Sequence, residues 1–215
     1  ATYHSTLSAW FSWLVKMEYR TDNPIMKVGR PRVPVGVPHP VADAHMPALL
    51  TTRMHRSTRV MILLCALAGL RVHEVAKIRG EDVDLVVGEI AVTGKGGVRR
   101  LLPMPPDLHE VAHLMPRRGF WFPSKSTLGH VRSQSVSTVI SEAMRRAGVP
   151  GTAHSLRHWY ATTLVDEGTD LRTVQELLRH ASLQTTQIYT RVSDHQRRAA
   201  VDKLDVMRAL RQPAA

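Results

Sequence analysis

Along most of the chain, apolar residues recur at every third or fourth position, the spacing that lines one face of an α-helix. This pattern predicts a mainly helical protein. A first helix is expected over residues 3 to 19. Beyond residue 43, helices are expected at residues 44–52, 56–69, 72–79, 106–114, 133–147, 155–167, 170–179, 184–191 and 194–210.

The first predicted helix has an apolar face and no neighbour in sequence to cover it. That face comprises Tyr3, Leu7, Trp10, Phe11, Leu14 and Val15. The next segment, residues 21 to 43, carries five prolines, which break both helices and central strands. We therefore expect three parts: residues 1–34 as the end of a larger helical domain that begins before residue 1, residues 35–43 as a Pro-rich linker, and residues 44–215 as a second domain.

One short β patch interrupts the helical pattern. The runs GEIAV and VRRLLP flank the turn TGKGG at residues 93 to 97, which is typical of a β-hairpin. Residues 120 to 122 are a candidate for a third strand. The fold class expected is mainly α with a small antiparallel β-sheet (α+β).

The charge of the chain favours a polyanionic partner. Its formal net charge is +11, and only six of the 29 basic residues are Lys. Guanidinium groups suit two-pronged contacts with phosphates, and cations that neutralise phosphates release condensed counterions. Nucleic acid is the first candidate and a membrane surface the second.

The composition otherwise resembles that of an ordinary globular protein. No apolar run approaches the roughly 20 residues that cross a bilayer, and no leader with a small-residue cleavage site is recognisable. The single cysteine, Cys65, lies in the apolar run MILLCALAGL and cannot form a disulfide framework. We therefore expect a protein of the reducing cytoplasm.

Four motifs change the functional interpretation through their order and setting. They are GLRVHE at 69–74, TGKGG at 93–97, HSLRH at 154–158 and LLRHASLQTTQIYTRV at 177–192. With these motifs the chain resembles the tyrosine recombinase, or phage integrase, family over residues 42 to 192. Residues 7 to 24 also resemble the end of that family's core-binding domain. The resemblance implies a catalytic domain that recombines DNA at specific sites, without a metal or other cofactor.

Two arginines are the expected phosphate ligands. Attack on phosphorus develops charge on two non-bridging oxygens, which Arg71 and Arg157 could stabilise. Glu74 either holds Arg71 or a neighbouring backbone group in place, or is an exposed helix acid. His154, three residues before Arg157, is expected on the same helix face, directed at the same phosphate.

The remaining catalytic candidates are Tyr189, Lys95 and His180. The phenol of Tyr189 is the expected nucleophile, and the resemblance implies a 3′-phosphotyrosine and a free 5′-hydroxyl. Lys95, between glycines at the hairpin tip, is expected to protonate the leaving 5′ oxygen, as the equivalent family lysine does, unless it is a solvated turn residue. His180 would donate to the phosphate or orient Tyr189.

His158 is expected on a different side of its helix from His154, in core hydrogen bonding. A zinc site built from these histidines is the competing idea, but the sequence has neither a Cys pair nor HExxH.

The chain departs from the family pattern at two positions. His73 stands where a small residue is usual, and Arg179 stands where Gly usually precedes the His. Both changes add bulk beside the site, and Arg179 could add a phosphate contact. Further DNA-binding candidates are Lys125, Arg132 and Ser133.

After Tyr189, a predicted helix carries Ala200, Leu204, Met207 and Leu210 on one face. It could complete its own core or dock on a neighbour, and the resemblance implies exchange between protomers of a homotetramer on DNA. The partners expected are duplex attachment sites and accessory directionality or DNA-bending proteins. Two alternatives remain: a type IB topoisomerase, and a non-catalytic DNA-binding protein of the same fold.

Overall fold

The structure is a computed structural model that describes residues 2–29, 31, 39–94 and 97–179. The chain divides into two units, Ala1–Val37 and Pro38–Ala215. The boundary falls inside the Pro-rich segment that the sequence predicts as a linker.

The first unit contains helix α1 (Thr2–Lys16) and a 3₁₀ turn (Pro24–Lys27). The side-chain amide of Asn23 joins them, donating to the Ser8 carbonyl at 3.1 Å and to Ser12 Oγ at 2.9 Å. Between residues 3 and 16, no side chain of α1 is fully buried, and Tyr3 is 85% exposed. Of the apolar face expected from the sequence, Tyr3, Leu7 and Trp10 are exposed and Phe11, Leu14 and Val15 are partly buried.

The second unit is mainly helical, as predicted. Its α-helices are α2 (Met46–Thr51), α3 (Arg56–Leu67), α4 (Val72–Val75), α5 (Pro106–His113), α6 (Ser133–Arg146), α7 (Ala153–Asp166) and α8 (Leu171–Leu178). Short 3₁₀ turns lie at Asp43–His45 and Gly80–Asp82. The two helices predicted at residues 184–191 and 194–210 lie outside the described residues.

Helix α3 forms the centre of the core, because its sequence RSTRVMILLCAL is apolar on nearly every side. It packs against α5, α6 and α7. Helix α6 presents Val136, Ile140, Ala143 and Met144 to this core at helical spacing. The buried thiol of Cys65 lies inside α3, where burial raises its pKa to about 12.

A small antiparallel sheet with the order β1-β2-β3 completes the fold. It consists of β1 (Val83–Asp84), β2 (Glu89–Thr93) and β3 (Arg99–Pro103), with Ile90 opposite Leu102. The predicted hairpin is confirmed as β2 and β3. The third strand suggested at residues 120 to 122 is wrong: Phe120 forms an isolated bridge with Arg79, and β1 is the third strand. Helix α4 ends at Val75, short of the predicted residue 79, and residues 78 to 80 instead form backbone hydrogen bonds with residues 119 to 121.

The corner between α3 and α4 requires glycine at position 69. Gly69 has φ of +58°, and a Cβ there would lie 2.6 Å from the ring of Tyr160. A left-handed backbone and a close approach both exclude larger residues. This corner sets the position of Arg71, two residues later.

None of the helices in the described ranges combines the length and the hydropathy that crossing a bilayer requires.

Candidate active site

Arg71 begins helix α4 and is anchored there by Glu74. The Glu74 carboxylate accepts from the Arg71 backbone N–H at 2.7 Å through Oε2, and from Arg71 Nη1 at 3.2 Å through Oε1. The Glu74 side chain is 1% exposed, whereas that of Arg71 is 32% exposed. The expectation that Glu74 holds Arg71 is confirmed, and the alternative of an exposed helix acid is wrong.

Arg157 joins the same corner from helix α7. Its Nη1 donates to the Gly69 carbonyl and its Nη2 donates to the Leu178 carbonyl at the end of α8. Arg157 is 2% exposed, and among the described residues it is the largest side chain that is fully buried. Such burial is tolerated because the guanidinium donates hydrogen bonds. In this structure Arg157 ties three segments together: the α3–α4 corner, α7 and α8.

Arg179 adds a third guanidinium to the corner. It follows α8 in a left-handed conformation with φ of 55° and ψ of 42°. Its Nη2 donates to Glu74 Oε2 at 2.8 Å and to the Gly69 carbonyl at 3.2 Å, and its Nη1 donates to the Leu177 carbonyl at 2.9 Å. With a side chain only 4% exposed, Arg179 faces the protein, which differs from the surface phosphate contact that the sequence suggested.

These contacts keep Glu74 ionised. Burial alone would raise its pKa, but the charge of Arg179, the Arg71 backbone N–H, the Arg179 hydrogen bond and the charge of Arg71 together hold the pKa below its usual value. We call Arg71, Glu74, Arg157 and Arg179, with the Gly69 carbonyl, the arginine corner. Its formal charge is +2, from three guanidinium groups and one carboxylate.

His154 lies in the first turn of α7, and its position is set by the helix cap. Thr152 Oγ accepts from the His154 backbone N–H at 3.3 Å, and the Thr152 N–H donates to Ser155 Oγ at 3.2 Å. His154 is exposed, whereas Arg157 is buried, so the shared face expected from their spacing is only partly realised. Burial and the charges of Arg157 and Arg71 lower the pKa of His154 and favour its neutral form.

The expectation that His158 faces a different side from His154 is wrong. The two rings meet edge to face with centroids 4.3 Å apart, because residues four apart are neighbours on a helix. Burial, His154, Arg157 and His39 lower the pKa of His158 to about 4. The pair is therefore neutral near pH 7, with His158 supporting the ring of His154.

A cavity of about 460 Å³ connects the arginine corner with the hairpin. Glu74 of the arginine corner and Thr93 and Gly94 of the hairpin are among the residues that line it. His73, one of the two departures from the family pattern, also lines it and is exposed, so its bulk faces this cavity. Lys95 follows Gly94 directly and lies outside the described residues, as do His180 and Tyr189.

The other DNA-binding candidates lie on the surface. Lys125 is exposed in the loop before α6, where Pro123 and His130 form an isolated bridge. Arg132, also exposed, is the N-cap residue of α6, and Ser133 is the first residue of that helix. The first turn of α6 holds no acidic residue, so the positive end of the helix dipole is available to an anion.

Among residues whose placement is described, no three His, Cys, Asp or Glu side chains gather in a metal-binding group. His180, one member of the zinc alternative, is not among those residues.

Two contributors to the corner were missed by the sequence reasoning. The Gly69 carbonyl accepts from both Arg157 and Arg179. Tyr160 packs its ring against Gly69, and burial raises the pKa of its phenol. The spacing of residues within a motif does not identify such partners, but Gly69, two residues before Arg71, is a signal of a tight corner that the sequence does offer.

Comparisons with known proteins agree with this architecture. The model of the phage integrase family matches residues 42–196. Tyrosine recombinase XerA of Pyrococcus furiosus is 32% identical over 194 residues, covering 86% of this chain and 68% of the relative. XerC of Oceanobacillus iheyensis is 32% identical over 216 residues, covering 91% of this chain and 70% of the relative.

Solved structures give the same result. The integrase from mycobacterium phage Brujita is 50% identical, with a TM-score of 0.67, and the match covers 100% of this chain and 73% of that one. The crystal structure of XerA recombinase is 22% identical with a TM-score of 0.64, covering 97% of this chain and 83% of that one, and supports the fold alone. The chain belongs to the phage integrase family and is a tyrosine site-specific recombinase.

Proposed function

We propose that the protein is an integrase that cuts and rejoins duplex attachment-site DNA through a 3′-phosphotyrosine at Tyr189, without a metal ion. The observation that carries this proposal is the arginine corner, in which Arg71 at the start of α4 contacts Glu74, while Arg157 of α7 donates to the Gly69 carbonyl two residues before Arg71. The 50% identity to a phage integrase over the whole chain supports a role in phage integration and excision.

Arg71 is the proposed ligand of one non-bridging phosphate oxygen. Its guanidinium is partly exposed and contacts Glu74 through Nη1. A fixed guanidinium beside the phosphate stabilises the charge of the transition state without reorganisation of solvent. In this structure Arg157 is 2% exposed and both its Nη atoms donate to backbone carbonyls, so we propose that it serves the second oxygen by moving a donor from a carbonyl to the phosphate when DNA binds, and that neutral His154 donates a hydrogen bond to the phosphate.

In the proposed reaction, the phenol oxygen of Tyr189 forms a bond to phosphorus as the bond from phosphorus to the 5′ oxygen breaks. The phenol proton passes to solvent, and Lys95 donates a proton to the leaving 5′ oxygen. Rejoining is the reverse, with the incoming 5′-hydroxyl as nucleophile. Gly94 lines the same cavity as Glu74, which supports a position for Lys95 within reach of the site. His180 is proposed to orient Tyr189.

Several solved relatives of the same fold are complexes with DNA, including XerH bound to difH and the Tn1549 integrase with transposon-end DNA. We propose that Lys125, Arg132 and Ser133 bind the DNA backbone of this protein's own target. The first unit is proposed to be the end of a core-binding domain.

We also propose a homotetramer on DNA, in the cytoplasm of a bacterial host. An apolar cavity of about 380 Å³, lined by Leu67, Met104, Trp159, Tyr160, Leu164 and Leu177, supports this proposal. The predicted C-terminal helix with Leu204, Met207 and Leu210 on one face has the chemistry to fill such a cavity on a neighbouring protomer. Accessory proteins would set the direction of recombination.

The test is capture of the covalent intermediate. A cleavable duplex is first selected from a randomised pool by recovering DNA that stays attached to the protein in denaturant. On that duplex, wild type is expected to form an adduct in excess EDTA, and Tyr189→Phe is expected to bind within a few-fold but form none. Complete dependence on added Mg²⁺, or an adduct with Tyr189→Phe, contradicts the mechanism. Relaxation of supercoiled DNA of any sequence would indicate a topoisomerase instead.

A further inference from the structure

Arg179 occupies a backbone position that side chains rarely adopt. A residue other than glycine in the left-handed region costs about 1 kcal/mol or more. Arg179 holds this conformation with a nearly buried guanidinium that contacts Glu74, Gly69 and Leu177. The hydrogen bonds of the Arg179 side chain offset this backbone cost. The side chain, and not the turn alone, therefore explains why arginine is found at this position.

Because Arg179 contacts Glu74, two cations, Arg179 and Arg71, share this carboxylate. Arg179 Nη2 approaches Oε2 at 2.8 Å, and Arg71 Nη1 approaches Oε1 at 3.2 Å. Because Oε2 also accepts from the Arg71 backbone, the Arg71 guanidinium meets the carboxylate through one nitrogen and does not form a two-pronged pair. The closer, more deeply buried partner of Glu74 is Arg179.

This arrangement has an electrostatic consequence for Arg71. With Arg179 present, Arg71, Glu74 and Arg179 carry a net charge of +1, so Glu74 does not cancel the charge of Arg71. Without Arg179, the same carboxylate would face Arg71 alone in a site of low polarity, where opposite charges attract strongly. Arg71 would then be drawn into a neutral pair and would stabilise a phosphate less.

We propose that Arg179 is a positioning residue that neutralises Glu74 and thereby leaves the charge of Arg71 to the scissile phosphate. The proposal rests on the proposed cleavage reaction. It assigns Arg179 no contact with DNA, and it predicts that the need for Arg179 disappears when Glu74 carries no charge.

The experiment measures the single-turnover cleavage rate and the DNA dissociation constant on the selected duplex. Arg179→Met, which removes the charge but keeps much of the length, is expected to cleave about 10- to 100-fold more slowly than wild type, with affinity changed by less than about threefold. Arg179→Lys is expected to recover part of the rate. Arg179→Gly, which relaxes the backbone, is expected to be as slow as Arg179→Met. Wild-type cleavage by Arg179→Met or by Arg179→Gly would overturn the proposal.

The decisive comparison adds Glu74→Gln, which keeps an oxygen acceptor for Arg71 but removes the charge. Glu74→Gln and the double variant Glu74→Gln/Arg179→Met are expected to cleave at rates within about threefold of each other. A further tenfold loss in the double variant overturns the proposal and assigns Arg179 a purely structural role. This pair remains informative if Arg179→Met alone does not fold.

Failure of the inference is distinguishable from failure of the proposed function. If wild type forms no adduct on any selected duplex, the cleavage reaction is wrong. If wild type cleaves and the two Glu74→Gln variants differ tenfold, only the role of Arg179 is wrong.

Discussion

The arginine corner and the amino-terminal end of α6 use the same kind of side chain in opposite ways. In the corner, Arg157 and Arg179 are buried and donate to carbonyls and to Glu74. At α6, Arg132 is exposed beside a helix dipole. A buried guanidinium fixes the geometry around it, because breaking one of its hydrogen bonds leaves an unsatisfied polar group inside the protein. Exposed ones contribute long-range attraction that salt screens. We therefore expect the arginine corner to control the cleavage rate and the exposed cations to control the affinity for DNA.

The largest expected effect is on stability, from Arg157→Met. Removing the guanidinium leaves the Gly69 and Leu178 carbonyls without this donor inside the core. We expect a loss of about 3 kcal/mol in the free energy of unfolding, together with loss of cleavage. Denaturant unfolding measures it. Arg132→Met is the matched control and is expected to change stability by less than about 0.5 kcal/mol; equal losses in the two variants would remove the distinction between the regions.

The next effect is on the rate of cleavage, from Lys95→Ala. Losing a general acid is expected to slow cleavage by about 10² to 10⁴ while binding barely changes. A duplex with sulfur in place of the bridging 5′ oxygen releases a thiolate. This leaving group needs no proton from the enzyme, because thiols have a pKa of about 8.5. The variant is therefore expected to cleave that duplex almost as fast as wild type does.

The control for Lys95 is Arg71→Ala, which is expected to gain nothing from sulfur because its proposed contact is to non-bridging oxygens. If sulfur rescues both variants equally, or neither, Lys95 is not the acid, and His154 and His180 are the next candidates.

A smaller effect is expected on the salt dependence of binding. Arg132→Ala is expected to reduce the slope of log affinity against log salt concentration by about 1, since one phosphate contact is lost. Arg146→Ala serves as a control, because Arg146 is exposed at the other end of the same helix, about 20 Å away. Titrations at several salt concentrations measure both slopes. An unchanged slope for Arg132→Ala would remove the amino-terminal end of α6 from the DNA interface.

The smallest effect concerns pH. Folded His158 stays neutral down to about pH 4, whereas its reference pKa is 6.5. Between these values unfolding takes up a proton, so stability falls as pH falls, and because His158 is only half-buried, solvent screening keeps the slope small. His158→Asn is expected to flatten this part of the stability curve. His154 acts in the same direction, since its pKa is also lowered, so part of the slope should remain; an unaltered curve would contradict the assignment.

Among the described residues, the sequence predicted most of the helices, because their apolar spacing is a local property. The core of α6, for example, follows directly from Val136, Ile140, Ala143 and Met144. The candidate catalytic residues also came from the sequence, through motif order. Local spacing did not predict contacts between segments that are distant in sequence. Residues 119 to 121, for example, pair with residues 78 to 80 and not with the sheet.

The role of Arg179 is the clearest example of what spacing cannot show. The sequence shows Arg179 only as a cation next to His180, which suggests a contact with phosphate. The fold instead brings Glu74, 105 residues away, to within 2.8 Å of it. The contact between His154 and His158, in contrast, is predictable from the sequence, because residues four apart on a helix are neighbours.

The central claim is that the arginine corner governs chemistry while the exposed cations govern binding. It is tested most directly by measuring, on one selected duplex, the single-turnover cleavage rate and the dissociation constant of Arg71→Met and Arg132→Met. Arg71→Met is expected to cleave at least about 10²-fold more slowly with affinity within a few-fold of wild type. Arg132→Met is expected to bind more weakly and, at saturating protein, to cleave at the wild-type rate. Equal losses of affinity in both variants, or a normal cleavage rate for Arg71→Met, would contradict the claim.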